Sequence, residues 1–446
     1  MTDLAVTPNP AVPPLGPPPA VRLPEVRQTT LASGLRVMAV RQPGVPLVEL
    51  RLRIPMTTDD DVESTRADLL GETFLTGTDR RDETDLAVAL QSIGGGLGAS
   101  VDADRLLVSG SSLAPAVEDL LGIVAELLVA NAYPDEAVRG ERDRTVQRLA
   151  IARSQPTVQA RDALARRLHG EHPYGRGLPS TEAVAAVTAE GLRDLHGRRV
   201  APDGSLLVLV GDIDPDVALV AVAAALGGWD RGSAAAPAPP VPPVVPGPVR
   251  IVDRPGAVQT NIRMAGLALP RTDPGTPALQ VANLVFGGYF SSRLVANIRE
   301  RRGYTYSPRS LVDHAPAGST IEVAADVATE VTAPALVEIA YELGRIAALP
   351  VDPAELASAR QYAIGSLLLG TATQSGLASR LVALDAAGLD VTYLRDHPVA
   401  LAAVTADEVQ AAARAHLAPA RLVTVLVGDA ARIRDEVAAL GAVEVA

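Results

Sequence analysis

Three sets of side chains in this 446-residue chain stand at spacings where chemistry is done. Asp68 and Glu72 lie four apart in a helix-like run, so their carboxylates share one helix face. Such a pair holds a cation weakly at best and otherwise lines a solvated wall. His169 and His172, in His-Gly-Glu-His, have a spacing open to a metal. It is neither H-x-x-E-H nor H-E-x-x-H, and it falls between a helix and a Pro-Tyr-Gly turn, which argues for an ordinary loop. Arg299 stands on an expected helix over 292–302 that stops at Gly303, with Tyr304 and Tyr306 in an expected strand beyond it. A guanidinium is a permanently charged, planar donor for carbonyl or carboxylate oxygens. A phenol can donate to an oxygen that gains negative charge. The i, i+2 spacing puts both tyrosines on one strand face. Arg301 and Arg302 have a plainer role, favouring the negative end of the helix dipole.

The segment around Asp68 also has the shape of a known metal motif. Residues 67–78 read Ala-Asp-Leu-Leu-Gly-Glu-Thr-Phe-Leu-Thr-Gly-Thr, which fits the frame A-H-x-x-E-H-x-x-x-x-G-T. That motif needs two histidines as zinc ligands and a glutamate as general base. Asp68, Gly71 and Glu72 occupy those three positions. A site of that type cannot form, because both imidazoles are missing and the base is a glycine.

The elements that must position these groups fall into two halves. Residues 232–249, GSAAAPAPPVPPVVPGPV, are too rich in proline for a helix or an interior strand and read as a stiff linker. The expected division is a Pro-rich arm over 1–26, an N-terminal lobe over 27–231, the linker over 232–249 and a C-terminal lobe over 250–446. The lobes look like copies. Residues 188–212 align without gaps on 405–429, and the shared run ends Val-Leu-Val-Gly-Asp in both. Each copy has a capping Thr (Thr188, Thr405), a helix, a stop before Ala-Pro and a buried strand. In the first lobe strands are expected near 35–41, 47–54 and 105–112. Helices are expected near 64–76, 84–93, 114–130, 134–153, 157–168 and 188–199. Gly94–Gly98 joins a helix to a strand with no Lys-Ser/Thr after it, so it reads as a turn rather than a phosphate loop. The mixed order predicts an α+β fold, with helices packed on one face of each sheet.

Composition narrows the function. A net charge of −12 argues against non-specific nucleic-acid binding and against an anionic membrane surface. With no cysteine there is neither thiol catalysis nor a thiolate metal site. No long apolar span is visible and the start does not resemble a signal peptide, so a cytoplasmic protein is expected. The apolar share of 48 % is ample for two cores.

The order and spacing of several segments resemble the insulinase/pitrilysin family of H-x-x-E-H zinc peptidases, which includes the mitochondrial processing peptidases. In the first half these are TTLASGLRV, ADLLGETFLTGT, HPYGRGLPSTE and VLVGDID. In the second they are VDRPGAVQTNI, NLVFGGYFSSRLVANIRERRGYTYS and the last VLVGD. The resemblance implies two homologous αβ-sandwich lobes, a processing-peptidase-like metallohydrolase fold, closing as a clam-shell around a peptide. It implies a third zinc ligand, a Glu, well beyond the motif, where this chain has Gln147, Arg148 and Leu149. Together with Asp68, Gly71 and Glu72, Arg148 completes a degenerate zinc motif. The second-half signature is intact. By resemblance, Arg299 and Tyr306 correspond to the pair through which a non-catalytic subunit reaches the substrate.

The chain is therefore expected to bind no cofactor itself, with Zn²⁺ held by a homologous H-x-x-E-H partner in a heterodimeric endopeptidase. A proteolytically silent homodimeric scaffold, similar to the core proteins of respiratory complexes, is the alternative. An autonomous enzyme of other chemistry ranks third, because no other nucleophile–base set stands out.

Overall fold

The computed structural model describes residues 23–446 except Asp59. The Pro-rich arm lies mostly outside these residues, and where the described chain begins it enters a strand. The first sheet contains β1 (Glu25–Thr30), β2 (Arg36–Arg41), β3 (Leu47–Pro55), β4 (Gly96–Val101), β5 (Arg105–Leu113) and β6 (Leu206–Gly211). The second contains β7 (Val249–Asp253), β8 (Gln259–Ala268), β9 (Arg309–Ala315), β10 (Gly318–Ala328), β11 (Val423–Gly428) and β12 (Val443–Val445). Their orders are β1-β2-β6-β3-β5-β4 and β12-β7-β11-β8-β10-β9. Five strands correspond one to one, which is the repeat seen at the level of topology. The sixth differs: β1 pairs antiparallel with β2, while β12 pairs parallel with β7.

In the first half the helices are α1 (Asp61–Thr73), α2 (Glu83–Ser92), α3 (Val117–Val129), α4 (Asp135–Ser154), α5 (Pro156–His169), α6 (Thr181–Ala185), α7 (Ala189–Arg199) and α8 (Pro215–Leu226). In the second they are α9 (Thr276–Asn283), α10 (Thr332–Ala348), α11 (Pro353–Gly370), α12 (Gln374–Ala386), α13 (Tyr393–Ala403), α14 (Ala406–His416) and α15 (Ala430–Ala438). The repeated capping threonines work alike. Thr188 Oγ1 accepts from the Gly191 N–H at 3.1 Å and Thr405 Oγ1 from the Glu408 N–H at 3.3 Å. In the second copy Glu408 returns the bond to the Thr405 N–H, completing a capping box.

Two expectations need correction. Gly94–Gly98 is not wholly a turn. Gly94 makes the reversal at φ +59°, and β4 begins at Gly96. Extended backbone suits glycine as it suits any residue, and β5 supplies a full ladder for it. The helices also cover both faces of each sheet, not one. The first main core joins α1, α3, α7 and α8 to one face of sheet one through Leu50, Leu70, Leu127, Leu192 and Val222. The opposite face, with Val40, Val208 and Val210, is covered by Leu377, Leu381 and Leu384 of α12, from the other half. Reciprocally, Leu164 and Leu168 of α5 pack on Ala265, Val423 and Val425 of sheet two. The halves thus exchange one helix each. A strand such as β6, buried on both sides, needs apolar cover from two directions, which explains its unbroken Leu-Leu-Val-Leu-Val run.

Polar contacts reinforce the exchange. Asp385 on α12 accepts both Arg36 guanidinium nitrogens, at 2.6 and 2.7 Å, and Arg53 Nη2 at 2.9 Å. Residues 232–248 form neither helix nor strand and run across both halves. The Val241 N–H donates to Ala317 O at 3.0 Å, and His172 Nε2 donates to Pro239 O at 2.7 Å.

Candidate active-site remnant

Helix α1 starts where Asp60 accepts the Glu63 N–H at 2.8 Å, and it buries Ala67, Leu70 and Thr73. That leaves Asp68 and Glu72 on the outer face. Gly71 faces the edge strand β4. A Cβ there meets Val101 Cγ2 at 3.0 Å and the Val101 N at 3.3 Å. The position that would carry a general base is therefore both side-chain-free and closed in.

Asp68 borders a recess of about 250 Å³ walled by Arg153, Arg166 and Leu178. By surface area the residue is exposed, with its carboxyl one turn from that of Glu72. Loss of hydration, and secondly the Glu72 charge, push its pKa up to about 6. Glu72 turns towards α4. Arg148 Nη2 lies 3.5 Å from Glu72 Oε2, 2.6 Å from Glu141 Oε1 and 2.8 Å from Thr145 Oγ1. Glu141 is buried and accepts Arg144 as well. Burial pushes its carboxyl up, but the hydrogen bonds from Arg144 and Arg148 outweigh this and hold it below the usual range.

Of the degenerate motif, then, Glu72 and Arg148 meet directly, Asp68 sits one turn before Glu72, and Gly71 abuts β4. Glu141 was not anticipated from the sequence. Its signal was the stripe Glu141, Thr145, Arg148 at i, i+4, i+7, which is one face of a helix. A guanidinium fixed on two carboxylates supplies a positive charge but no open coordination position. It cannot lower the pKa of a bound water as a metal does. Asp68 and Glu72 alone do not fit a tetrahedral zinc site of nitrogen and carboxylate ligands. Among the described residues, no group of three or more His, Asp or Glu side chains is placed to hold a metal.

His169 and His172 have other partners. His172 Nδ1 accepts the Tyr174 N–H at 3.1 Å while its Nε2 donates to the linker, so both ring nitrogens are used. Burial lowers His169 to a pKa of about 4. The Tyr174 hydroxyl donates to Asp104 at 2.9 Å and accepts the Ala317 N–H at 3.1 Å, tying the loop to the other half.

Arg299 and Tyr306 lie in the second half, and no hydrogen bond or ion pair among the described residues joins them to Asp68, Glu72 or Arg148. The Arg299 helix runs over 293–301, and Val295–Arg301 is wound as a π-helix; a second π segment, Leu284–Gly288, precedes it. Such segments are rare and often mark functional sites. Gly303, at φ +65°, ends the helix. Its N–H donates to Arg299 O, and the Tyr304 N–H donates to Ile298 O. Arg299 stacks over the Phe290 ring at 4.8 Å and pairs with Glu300 at 3.2 Å. Arg302 pairs instead with Glu338 at 2.6 Å.

The tyrosines do not share a strand face. Both precede β9 in irregular chain, because Gly303 and Pro308 bracket the segment. Tyr304 packs against the second core, whereas Tyr306 is 88 % exposed.

Known proteins share this fold. The family described as Peptidase M16 inactive domain matches residues 186–362. A protein named as an uncharacterized zinc protease of Mycobacterium leprae is 27 % identical over 367 residues, covering 81 % of this chain and 82 % of that one. The crystal structure of a peptidase M16 inactive domain from Pseudomonas fluorescens shares the fold. Its TM-score is 0.83 at 23 % identity, covering 91 % of this chain and 98 % of that one. A protease from Helicobacter pylori superposes with a TM-score of 0.84 at 16 % identity, covering 91 % of this chain and all of the other.

Proposed function

We propose that this chain, whose residues 186–362 match the M16 inactive domain and which is similar to zinc protease relatives along most of its length, is the non-catalytic subunit of a heterodimeric zinc endopeptidase. Its homologous partner carries H-x-x-E-H and the Zn²⁺. This chain binds and positions the peptide. The observation that carries the reading is the seat of Arg148 on Glu72 and Glu141, beside a Gly71 packed tightly against Val101. A chain so built contributes to proteolysis only through other groups.

Those groups are at hand. Arg299 and Tyr306 are accessible donors beside the π-helical turn, suited to a substrate carbonyl or an oxygen that gains charge. Strand β4 is a sheet edge, and its Gly96 and Gly98 are exposed and carry no side chain. An extended peptide can add to such an edge through main-chain bonds, with neighbouring side chains reading its sequence. No helix among the described residues is long and apolar enough to cross a membrane.

The test is a tagged pull-down from the source cell with the bound proteins identified by mass spectrometry. The proposal expects a near-stoichiometric partner of similar length carrying H-x-x-E-H. Recovery of the chain only with itself overturns the heterodimer and favours the silent scaffold.

A further inference from the structure

A second polar cavity lies away from the degenerate motif, between α9, α11, α12, α13 and the start of β9. Its volume is about 280 Å³, close to the lower end for small-ligand sites. Arg271 and Arg380 both line it, with His314, His397, Tyr393 and Asn283. No carboxylate lines it, although the chain holds 52 acidic residues against 40 basic ones. Most other partly buried arginines in this protein have carboxylate partners, such as Arg36 and Arg53 on Asp385, Arg293 on Glu355 and Arg263 on Asp326. Arg271 and Arg380 make no hydrogen bond or ion pair among the described residues, and Arg271 Nε is buried with no acceptor.

The surroundings respond to this charge, which Asp313 offsets only in part. Arg271 is held below its usual pKa, first by loss of hydration; the charge of Arg380 adds to this, and Tyr393 and Asp313 oppose it. His314 and His397 are both lowered to about 4, by burial first and then by the two arginines, with Asp313 opposing for His314 and His314 adding for His397. Both imidazoles are therefore neutral. His397 Nε2 donates to Gln280 at 2.8 Å and its ring stacks on Tyr393 at 4.4 Å, so the wall is fixed in place. Two guanidinium groups held together in a partly desolvated recess repel each other, and a bound anion would offset that cost through charge-assisted hydrogen bonds.

We propose that this cavity is a binding site for a small oxyanion group, a carboxylate or a phosphate, held between Arg271 and Arg380. The group has two possible sources: the free C-terminal carboxylate of a short peptide, or inorganic phosphate. None of Asp68, Gly71, Glu72 and Arg148 lines this cavity.

The test uses the full chain at fixed ionic strength. Inorganic phosphate is titrated by calorimetry and by thermal unfolding, and so are a short peptide acid and its C-terminal amide. Saturable binding of phosphate, or of the acid but not the amide, supports the site and identifies the source. Either affinity falls at least tenfold in R271Q and in R380Q and is lost in the double variant. R395Q, on α13 but outside the cavity, leaves it unchanged. A second readout guards against misfolding. In anion-free buffer the double variant unfolds at or above the wild-type temperature, because like-charge repulsion is gone. Absence of saturable binding to all probes overturns the proposal, as does equal binding by wild type and the double variant.

Discussion

At position 71 a glycine packs closely against Val101 of β4. Restoring the base as Gly71→Glu drives a side chain onto Val101, and overpacking of this kind costs about 1–3 kcal/mol. A lowered denaturation midpoint checks this; an unchanged one shows that β4 yields freely. Asp68 has a different signature. Its folded pKa is raised to about 6 from 3.8, so the folded state holds the proton more tightly than the unfolded state. Stability on this account falls as pH rises from about 4 through about 6. Asp68→Asn should raise the unfolding midpoint at pH 7 relative to wild type, with the difference gone by pH 4. A third prediction concerns the guanidinium. Asp68→His with Glu72→His should gain no tight zinc while Arg148 remains, and adding Arg148→Glu should create measurable binding by calorimetry. That Asp68, Gly71 and Glu72 bring no imidazole is read from residue types alone. Glu141 was not legible in the sequence, because a buried acid looks like a solvated one until its arginines are placed.

Among the elements, α12 and α5 bind the halves together. Leu381 on α12 is buried against sheet one, and Leu381→Ala should cost about 2–5 kcal/mol in chemical denaturation. A loss near zero would mean that the helix is not part of the cooperative unit. The sequence made the strands β2, β3, β5 and β6 and most helices of the first half legible through apolar runs, capping residues and Pro stops. It did not reveal which sheet α12 covers, since an apolar face specifies burial and not a partner. The edge strand β4 was hidden because glycines there mimic a turn. Tyr306 was placed in a strand because its alternation with Tyr304 resembles one. Gly303 and Pro308 override that pattern locally and leave Tyr306 projecting from the surface.

For the whole molecule, the exchanged helices mean that neither half is closed alone. Residues 250–446 expressed by themselves would expose Ala265, Val423 and Val425, which α5 covers in the full chain. That fragment should aggregate or remain molten, whereas the full chain should unfold in one transition by both calorimetry and circular dichroism. Separate transitions would show that the halves are independent. The two-lobed plan was legible from the Pro-rich linker and the gapless repeat. The crossing of the halves was not, because it rests on contacts between residues far apart in the chain, up to 349 positions for Arg36 and Asp385. The proposed division of labour with a partner belongs to this scale. Its most direct test is the turnover of a quenched peptide by the chain alone, by the H-x-x-E-H homologue alone, by their mixture, and by the mixture made with Arg299→Ala. The account predicts turnover well above either component only in the mixture, reduced roughly tenfold or more by the substitution. Turnover by the isolated chain, or a mixture no faster than the homologue alone, would contradict it.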